Sequence, residues 1–173
     1  MKSRSAFSVL LSFVGMAVIV ALSVASANAE SMKTPPGIMG TYQLVSRELP
    51  DGTKQKPPDV IGLTTFTRDR RNLNVYWKDA KGKSVSISYI ATYKLTGKEY
   101  SEKTIYFMIN DEIGGKGITY DLSGENGTSP AKAEGGRIEF QLPLHGEPYV
   151  VFEGDKFTAT RAGAFVDHWE KIE

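Results

Sequence analysis

The chain has 173 residues, with 21 basic and 20 acidic side chains, a net charge of +1 and no cysteine. The balanced charge, without any long block of one sign, gives no electrostatic support for a nucleic-acid partner or a membrane-surface partner. The absence of cysteine excludes disulfides, thiol catalysis and thiolate-bound metal ions, so stability must come from packing and backbone hydrogen bonds.

Residues 1–29 have the three-part pattern of an export signal. Lys2 and Arg4 form a short basic start, residues 6–25 carry no charge, and small residues at Ala27 and Ala29 occupy the positions that signal peptidase reads. We therefore expect cleavage after Ala29 and a periplasmic or secreted bacterial protein, with no stable membrane insertion after cleavage. An apolar run of about twenty residues is also long enough to cross a bilayer, so an uncleaved anchor is the alternative.

The rest of the chain predicts strands. Residues 30–37, with two adjacent prolines, are predicted to be a tether, and residues 38–173 to form one β domain. In residues 84–95, apolar side chains from Val85 to Leu95 share one face, and Ser, Thr and Lys occupy most of the other; a helix would scatter them around its circumference. The same alternation occurs in residues 72–78 and 137–144. Further strand-like runs are 40–49, 63–68, 103–110, 117–122, 149–153, 156–161 and 165–172.

Ten such runs, without a helical stretch of ten residues, predict an all-β antiparallel barrel or sandwich. We favour an up-and-down barrel of 8–10 strands, because most connections are short and closure removes exposed strand edges. Residues 50–61 and 122–136 are the two connections long enough for the crossovers of a sandwich. Asn126-Gly127 is interpreted as a turn, and Gly114–Gly117 as a hairpin turn rather than a phosphate-binding loop.

Several short motifs resemble the bacterial lipocalin-like domain family. Residues 40–46 are similar to that family's Gly-Thr-Trp-x-Leu-Val-Ser start, with Tyr42 in place of the Trp. Other similar segments follow in the family's order: 62–77, 89–97, 152–160 and 169–172. Arg70-Arg71 stands where the family usually has a glycine. The resemblance implies a calycin-type up-and-down barrel that binds a small apolar or amphipathic molecule.

Six aromatic residues fall on the apolar faces of different strands and are the candidate lining of a ligand cavity: Trp77, Tyr89, Tyr93, Phe107, Phe140 and Trp169. Core packing is the alternative, because a barrel of eight strands either is filled by side chains or holds one small ligand. Tyr89 and Tyr93 are the strongest candidates, since a ligand's polar end can serve as the partner that a buried phenol needs. Asn72 and Asn74 are predicted to face outward.

The chain contains no strong catalytic motif. His145, just before Gly146, is predicted to be an exposed turn residue, and His168 to be a solvent-facing or hydrogen-bonded strand residue. Two histidines cannot form a three-histidine zinc site, and we predict no metal site and no cofactor.

The preferred functional hypothesis is non-enzymatic binding of a small molecule inside the barrel. One alternative is an isomerase or cyclase, which requires a titratable group with a shifted pKa facing the cavity; Asp167, His168 and Glu153 are the candidates. Another is an exported inhibitor or protein–protein interaction module that uses residues 122–136. The oligomeric state is left open.

Overall fold

The computed structural model describes residues 37–173, so the predicted export signal and all of the predicted tether except Gly37 lie outside the described residues. Within residues 37–173, no helix is long and apolar enough to cross a membrane. The described chain forms twelve strands. They are β1 (Gly40–Glu48), β2 (Lys54–Gln55), β3 (Val60–Phe66), β4 (Arg70–Lys78), β5 (Ser84–Leu95), β6 (Glu99–Asp111), β7 (Gly117–Asp121), β8 (Asn126–Glu134), β9 (Arg137–Gln141), β10 (Tyr149–Glu153), β11 (Lys156–Arg161) and β12 (Phe165–Lys171).

Ten of these strands form a closed antiparallel barrel. Going around it, β1 pairs with β3, the strands β3 to β6 follow in order, β6 pairs with β8, and β8 to β12 again follow in order. Pairing of β12 with β1 closes the ring. The short strand β2 pairs with the last two residues of β1, and β7 pairs with the C-terminal half of β6. The predicted all-β up-and-down barrel is thus confirmed.

Residues 122–136 differ from the prediction. They contain β8, which pairs with β6 and β9 as part of the barrel wall, so the predicted long loop is reduced to residues 122–125. Asn126 and Gly127 begin this strand and do not form a turn. Gly127 is needed for close packing: a Cβ atom there would lie 2.8 Å from Leu144 Cδ2 and 2.9 Å from Pro143 Cβ. The proposed contact loop of an interaction module is therefore mostly barrel wall.

One half of the barrel is a solid aromatic core. Tyr100 and Phe140 stack with ring centroids 4.2 Å apart, and Phe152 and Phe157 stack at 4.6 Å. Ile38 is buried in the same cluster, and its carbonyl oxygen accepts a hydrogen bond of 3.2 Å from the Tyr42 hydroxyl. Large rings in offset and edge-on contact bury much apolar surface, so this half anchors the fold.

Two β-bulges change which side chains face the interior. A bulge inserts one extra residue and reverses the alternation beyond it. In β1 the register against β12 shifts between Leu44 and Ser46, which turns Arg47 inward. In β6 the register against β5 shifts at Ile105, which places Thr104 and Phe107 on the same inner face. Arg47 and Phe107, the two side chains turned inward by these bulges, line a cavity in the barrel interior.

Candidate ligand cavity

A cavity of about 120 Å³ lies inside the barrel, beyond the aromatic core. For comparison, a cavity of about 150 Å³ lined by apolar side chains holds one benzene molecule. Most of the wall is apolar, with β4 and β5 supplying Leu73, Val75, Trp77 and Ile87. The exposed members of the lining, Gly146 and Arg161, form the rim. The space therefore suits a small, mostly apolar molecule.

The structure divides the six predicted lining residues into two groups of three. Trp77, Phe107 and Trp169 line the cavity. Tyr89, Tyr93 and Phe140 lie in the buried core and are not among the lining residues. Ligand contact by any of the six stays a prediction.

The buried tyrosine hydroxyls already have partners in the protein. Tyr93 donates a hydrogen bond of 2.6 Å to the carbonyl oxygen of Thr67. Tyr89 donates one of 3.1 Å to Glu102 Oε1. Burial raises the pKa of Tyr93 to about 12, with the charge of Asp69 adding to the rise. These phenols therefore do not need a ligand as partner, which removes the reason for preferring Tyr89 and Tyr93 as lining residues.

Sequence reasoning missed two buried charge clusters beside the cavity. In the first, Arg47 binds Asp167 through two bonds, Nε to Oδ1 at 2.6 Å and Nη2 to Oδ2 at 2.8 Å. The guanidinium lies over the rings of Trp77 and Phe165, at 4.5 and 4.1 Å from their centroids. Burial raises the pKa of Asp167, and its bonds to Arg47 oppose that rise. All four residues line the cavity.

The Arg47–Asp167 pair bears on the alternative hypothesis of an isomerase or cyclase. Of the three residues that this hypothesis names, Glu153 is exposed, and His168 lies on the outer face with Nε2 4.0 Å from Glu48. Asp167 is buried and lines the cavity, but both of its oxygens accept hydrogen bonds from Arg47. A carboxylate held in this way is poorly placed to take a proton from a substrate, so no specific observation favours the enzyme alternative.

The second cluster joins Arg71 to two carboxylates. Arg71 binds Glu147 at 2.6 and 3.1 Å and Glu102 at 3.3 Å. The hydroxyl of Tyr100 donates to Glu102 at 2.6 Å. Burial lowers the pKa of Arg71, but the charges of Glu147 and Glu102 outweigh burial and hold this pKa well above its usual range. Burial raises the pKa of Glu147 to about 7, against the opposing charge of Arg71. The cluster fixes the β9–β10 loop, which carries Glu147, to β4.

The prediction for His145 is wrong. Its ring stacks on Phe107 with centroids 4.0 Å apart, its Nε2 lies 3.0 Å from Thr104 Oγ1, and only 10% of its side chain is exposed. His145 has a φ of 52°, in the left-handed region, and this conformation turns the loop toward the barrel interior. The expectation failed because the contacts that draw this loop inward, Glu147 with Arg71 and Leu144 with Gly127, join residues far apart in sequence.

Comparisons with known proteins add no assignment: no family model, no curated protein and no solved structure matches this chain.

Proposed function

We propose that this chain is an exported barrel protein that binds a small, mostly apolar molecule in its cavity. The observation that supports this most strongly is the contrast between the two halves of the barrel. One half is filled by stacked aromatic rings, whereas the other encloses about 120 Å³ behind a largely apolar wall. An apolar molecule bound in this space makes packing contacts with the side chains that surround it.

The rim suggests an amphipathic ligand. Arg161 is exposed at the mouth, and no carboxylate in residues 37–173 lies within 4.0 Å of its guanidinium. The inner wall offers mainly hydrocarbon and aromatic surface, and its inner charges are paired with each other. A ligand with an apolar body in the cavity and a polar or anionic end at the rim suits this distribution.

Membership of the bacterial lipocalin-like family and export are parts of the same proposal. The ordered motifs between residues 40 and 172, together with the closed up-and-down topology, support the family assignment. The pattern of residues 1–29 supports export. Expression of the full chain in a bacterial host, followed by N-terminal sequencing of the periplasmic protein, tests export. A mature chain that begins at Glu30 agrees with the proposal, and an uncleaved chain in the membrane fraction contradicts it.

Intrinsic fluorescence gives a direct test of binding, because the two tryptophans of the chain, Trp77 and Trp169, both line the cavity. Dibromomethane is smaller than benzene and therefore suits a cavity of about 120 Å³, and its bromine atoms quench an adjacent indole. We expect saturable quenching, with a smaller amplitude in Trp77→Phe and in Trp169→Phe. Native mass spectrometry after incubation with an organic extract of bacterial cells then searches for the natural small-molecule ligand.

A cavity-filling variant provides the matched control. Ala159 lies on the cavity wall, so Ala159→Leu should weaken dibromomethane binding by about tenfold, the effect of losing about 1.4 kcal/mol of binding free energy. Ala80→Leu makes the same change at an exposed position and should leave binding unchanged. Absence of saturable quenching in the unmodified protein, or equal binding by Ala159→Leu, would overturn the proposal.

A further inference from the structure

A separate cluster of metal-ligating side chains lies where the β7–β8 connection meets the β9–β10 loop. Asp121, Glu125 and His145 each place one ligand atom within 4.8 Å of the other two. His145 Nδ1 is 4.0 Å from Asp121 Oδ2, which is too long for a hydrogen bond. Two ligand atoms of a tetrahedral zinc ion, each about 2.0–2.2 Å from the metal, lie about 3.3–3.6 Å apart, so these groups reach one ion after moving together by about 1 Å.

The surroundings of His145 favour the tautomer that a metal at Nδ1 requires. Nε2 lies 3.0 Å from Thr104 Oγ1, Thr104 Oγ1 lies 3.4 Å from the Tyr89 hydroxyl, and Tyr89 donates to Glu102 Oε1 at 3.1 Å. With protons directed toward the Glu102 carboxylate, Nε2–H donates to Thr104, Thr104 donates to Tyr89, and Tyr89 donates to Glu102. Nδ1 is then left with a free lone pair. A histidine that binds a metal typically donates its other ring N–H to such an oriented acceptor.

The three groups converge without a positive partner from the protein. The His145 side chain is nine-tenths buried and held by its stacking on Phe107, so Nδ1 keeps its direction. Asp121 Oδ1 accepts a hydrogen bond of 2.7 Å from the Ser123 N–H, and Oδ2 is left to face the histidine. Across residues 37–173, no lysine or arginine comes within 4.0 Å of either carboxylate. Two negative groups and an imidazole lone pair in this arrangement favour the binding of a cation.

We propose that Asp121, Glu125 and His145 bind a divalent transition-metal ion, with Zn²⁺ as the best match and water completing the coordination. One imidazole and two carboxylates suit Zn²⁺ and its first-row neighbours, whereas Mg²⁺ and Ca²⁺ prefer oxygen ligands alone. The sequence contains no local zinc motif, because Asp121 and Glu125 meet His145 only through the fold. This inference is independent of what the cavity binds.

A metal ion here would stiffen the cavity wall. His145 and Gly146 are part of the cavity lining, while Asp121 is the last residue of β7 and Glu125 lies in the connection from β7 to β8. Coordination would tie this connection to the β9–β10 loop, in addition to the bonds between Glu147 and Arg71. Because the ion binds the folded arrangement, it should also raise the thermal midpoint of unfolding in proportion to the logarithm of the metal concentration.

Calorimetric titration of untagged full-chain protein with ZnCl₂ tests the proposal, together with long-range ¹H–¹⁵N NMR of the histidine rings. We expect one saturable site and a metal-induced change in the ¹⁵N chemical shift of His145 Nδ1, with Nε2 keeping its proton. The exposed Glu125→Gln and the loop variant His145→Gln should each raise the Kd about tenfold or more. Thr104→Val, which removes a positioning hydroxyl, should weaken binding and also broaden or shift the His145 Nε2 signal.

His168→Gln is the matched control, because it removes the chain's other histidine, which lies outside the Asp121–Glu125–His145 cluster and has Glu48 at 4.0 Å. Zinc binding should be unchanged in this variant. The proposal is overturned if the unmodified protein shows no saturable zinc binding, or if Glu125→Gln and His145→Gln bind zinc as well as it does. It is also overturned if the NMR spectra show an imidazolium at His145 that zinc leaves unaltered.

Discussion

Arg47 and Asp167 face each other inside the barrel because one extra residue, Val45, shifts the register of β1 against β12. The alternation that places Tyr42 and Leu44 inside would otherwise place Arg47 on the outer surface. Both charged side chains are almost fully buried, at 4% and 5% exposure, and they bond through two parallel contacts. The bulge thus creates a charge pair in the cavity wall.

Removing either member of this pair alone should be costly. Arg47→Met leaves a buried carboxylate, and Asp167→Leu leaves a buried guanidinium, so each single change should lower the free energy of unfolding by about 3–5 kcal/mol. The double variant buries no charge and keeps apolar packing between Trp77 and Phe165, so it should be about as stable as the unmodified protein. Urea unfolding of the four proteins at pH 7 measures the coupling. Additive losses in the double variant would show that the pair is not coupled.

The link between Glu147 and Arg71 should control the mobility of the β9–β10 loop. Glu147→Ala removes two bonds, but Glu102 still neutralises Arg71, so we expect a loss of about 1–3 kcal/mol in unfolding free energy. Hydrogen exchange should speed up in residues 142–148 and change little in the aromatic core. Glu170→Ala removes one exposed ion pair, with Lys156 on the neighbouring strand, and should affect neither stability nor loop exchange appreciably. Uniformly faster exchange over the whole barrel would contradict a local role for Glu147.

Strands with strong alternation could be predicted from the sequence. Residues 84–95 were predicted as one strand, and β5 has those bounds, with Val85, Tyr89 and Ala91 buried on one face. β8 was missed because Pro130, Lys132 and several small polar residues give it little strand character, and its place in the ring depends on pairing with β6 and β9. β9 ends at Gln141, so Leu142 and Leu144 lie in the following loop and not in the predicted strand.

The candidate site was less predictable, because its residues depend on irregular features. Trp77, Phe107 and Trp169 could be found from apolar alternation. Arg47 could not, since no local signal in residues 40–48 marks a bulge at Val45. The convergence of Asp121 and Glu125 with His145 likewise depends on a loop packing across the barrel. Side chains that follow regular alternation were predicted, and those positioned by bulges and inward-folding loops were not.

Gly62 should be required for the position of Trp169. A Cβ atom at Gly62 would lie 2.6 Å from Trp169 Cη2 and 3.0 Å from Leu44 Cβ, so Gly62→Ala must displace the indole. We expect a loss of about 1–3 kcal/mol in unfolding free energy and a shift in Trp169 fluorescence, recorded in a Trp77→Phe background. Gly97→Ala is the control, because a Cβ atom there would have no neighbour within 4 Å. Unchanged emission and stability in Gly62→Ala would show that the wall accommodates the methyl group without moving Trp169.

Tyr93 should contribute to unfolding at high pH. Its folded-state pKa is raised by burial to about 12, above the ordinary value of 10.0, so the folded protein retains a proton that the unfolded chain releases. This contribution is fully present below pH 10 and is lost as the pH rises through about 12. Tyr93→Phe loses the hydrogen bond to Thr67 and should be about 1 kcal/mol less stable at pH 7. Between pH 10 and 12, the unfolding free energy of Tyr93→Phe should fall with pH less steeply than that of the unmodified protein. The difference between the two slopes corresponds to the release of up to one proton on unfolding.

Urea unfolding followed by circular dichroism at several pH values measures both effects, with the exposed Tyr120→Phe expected to match the unmodified protein. Equal slopes for Tyr93→Phe and the unmodified protein would mean that Tyr93 ionises alike in the folded and unfolded chain.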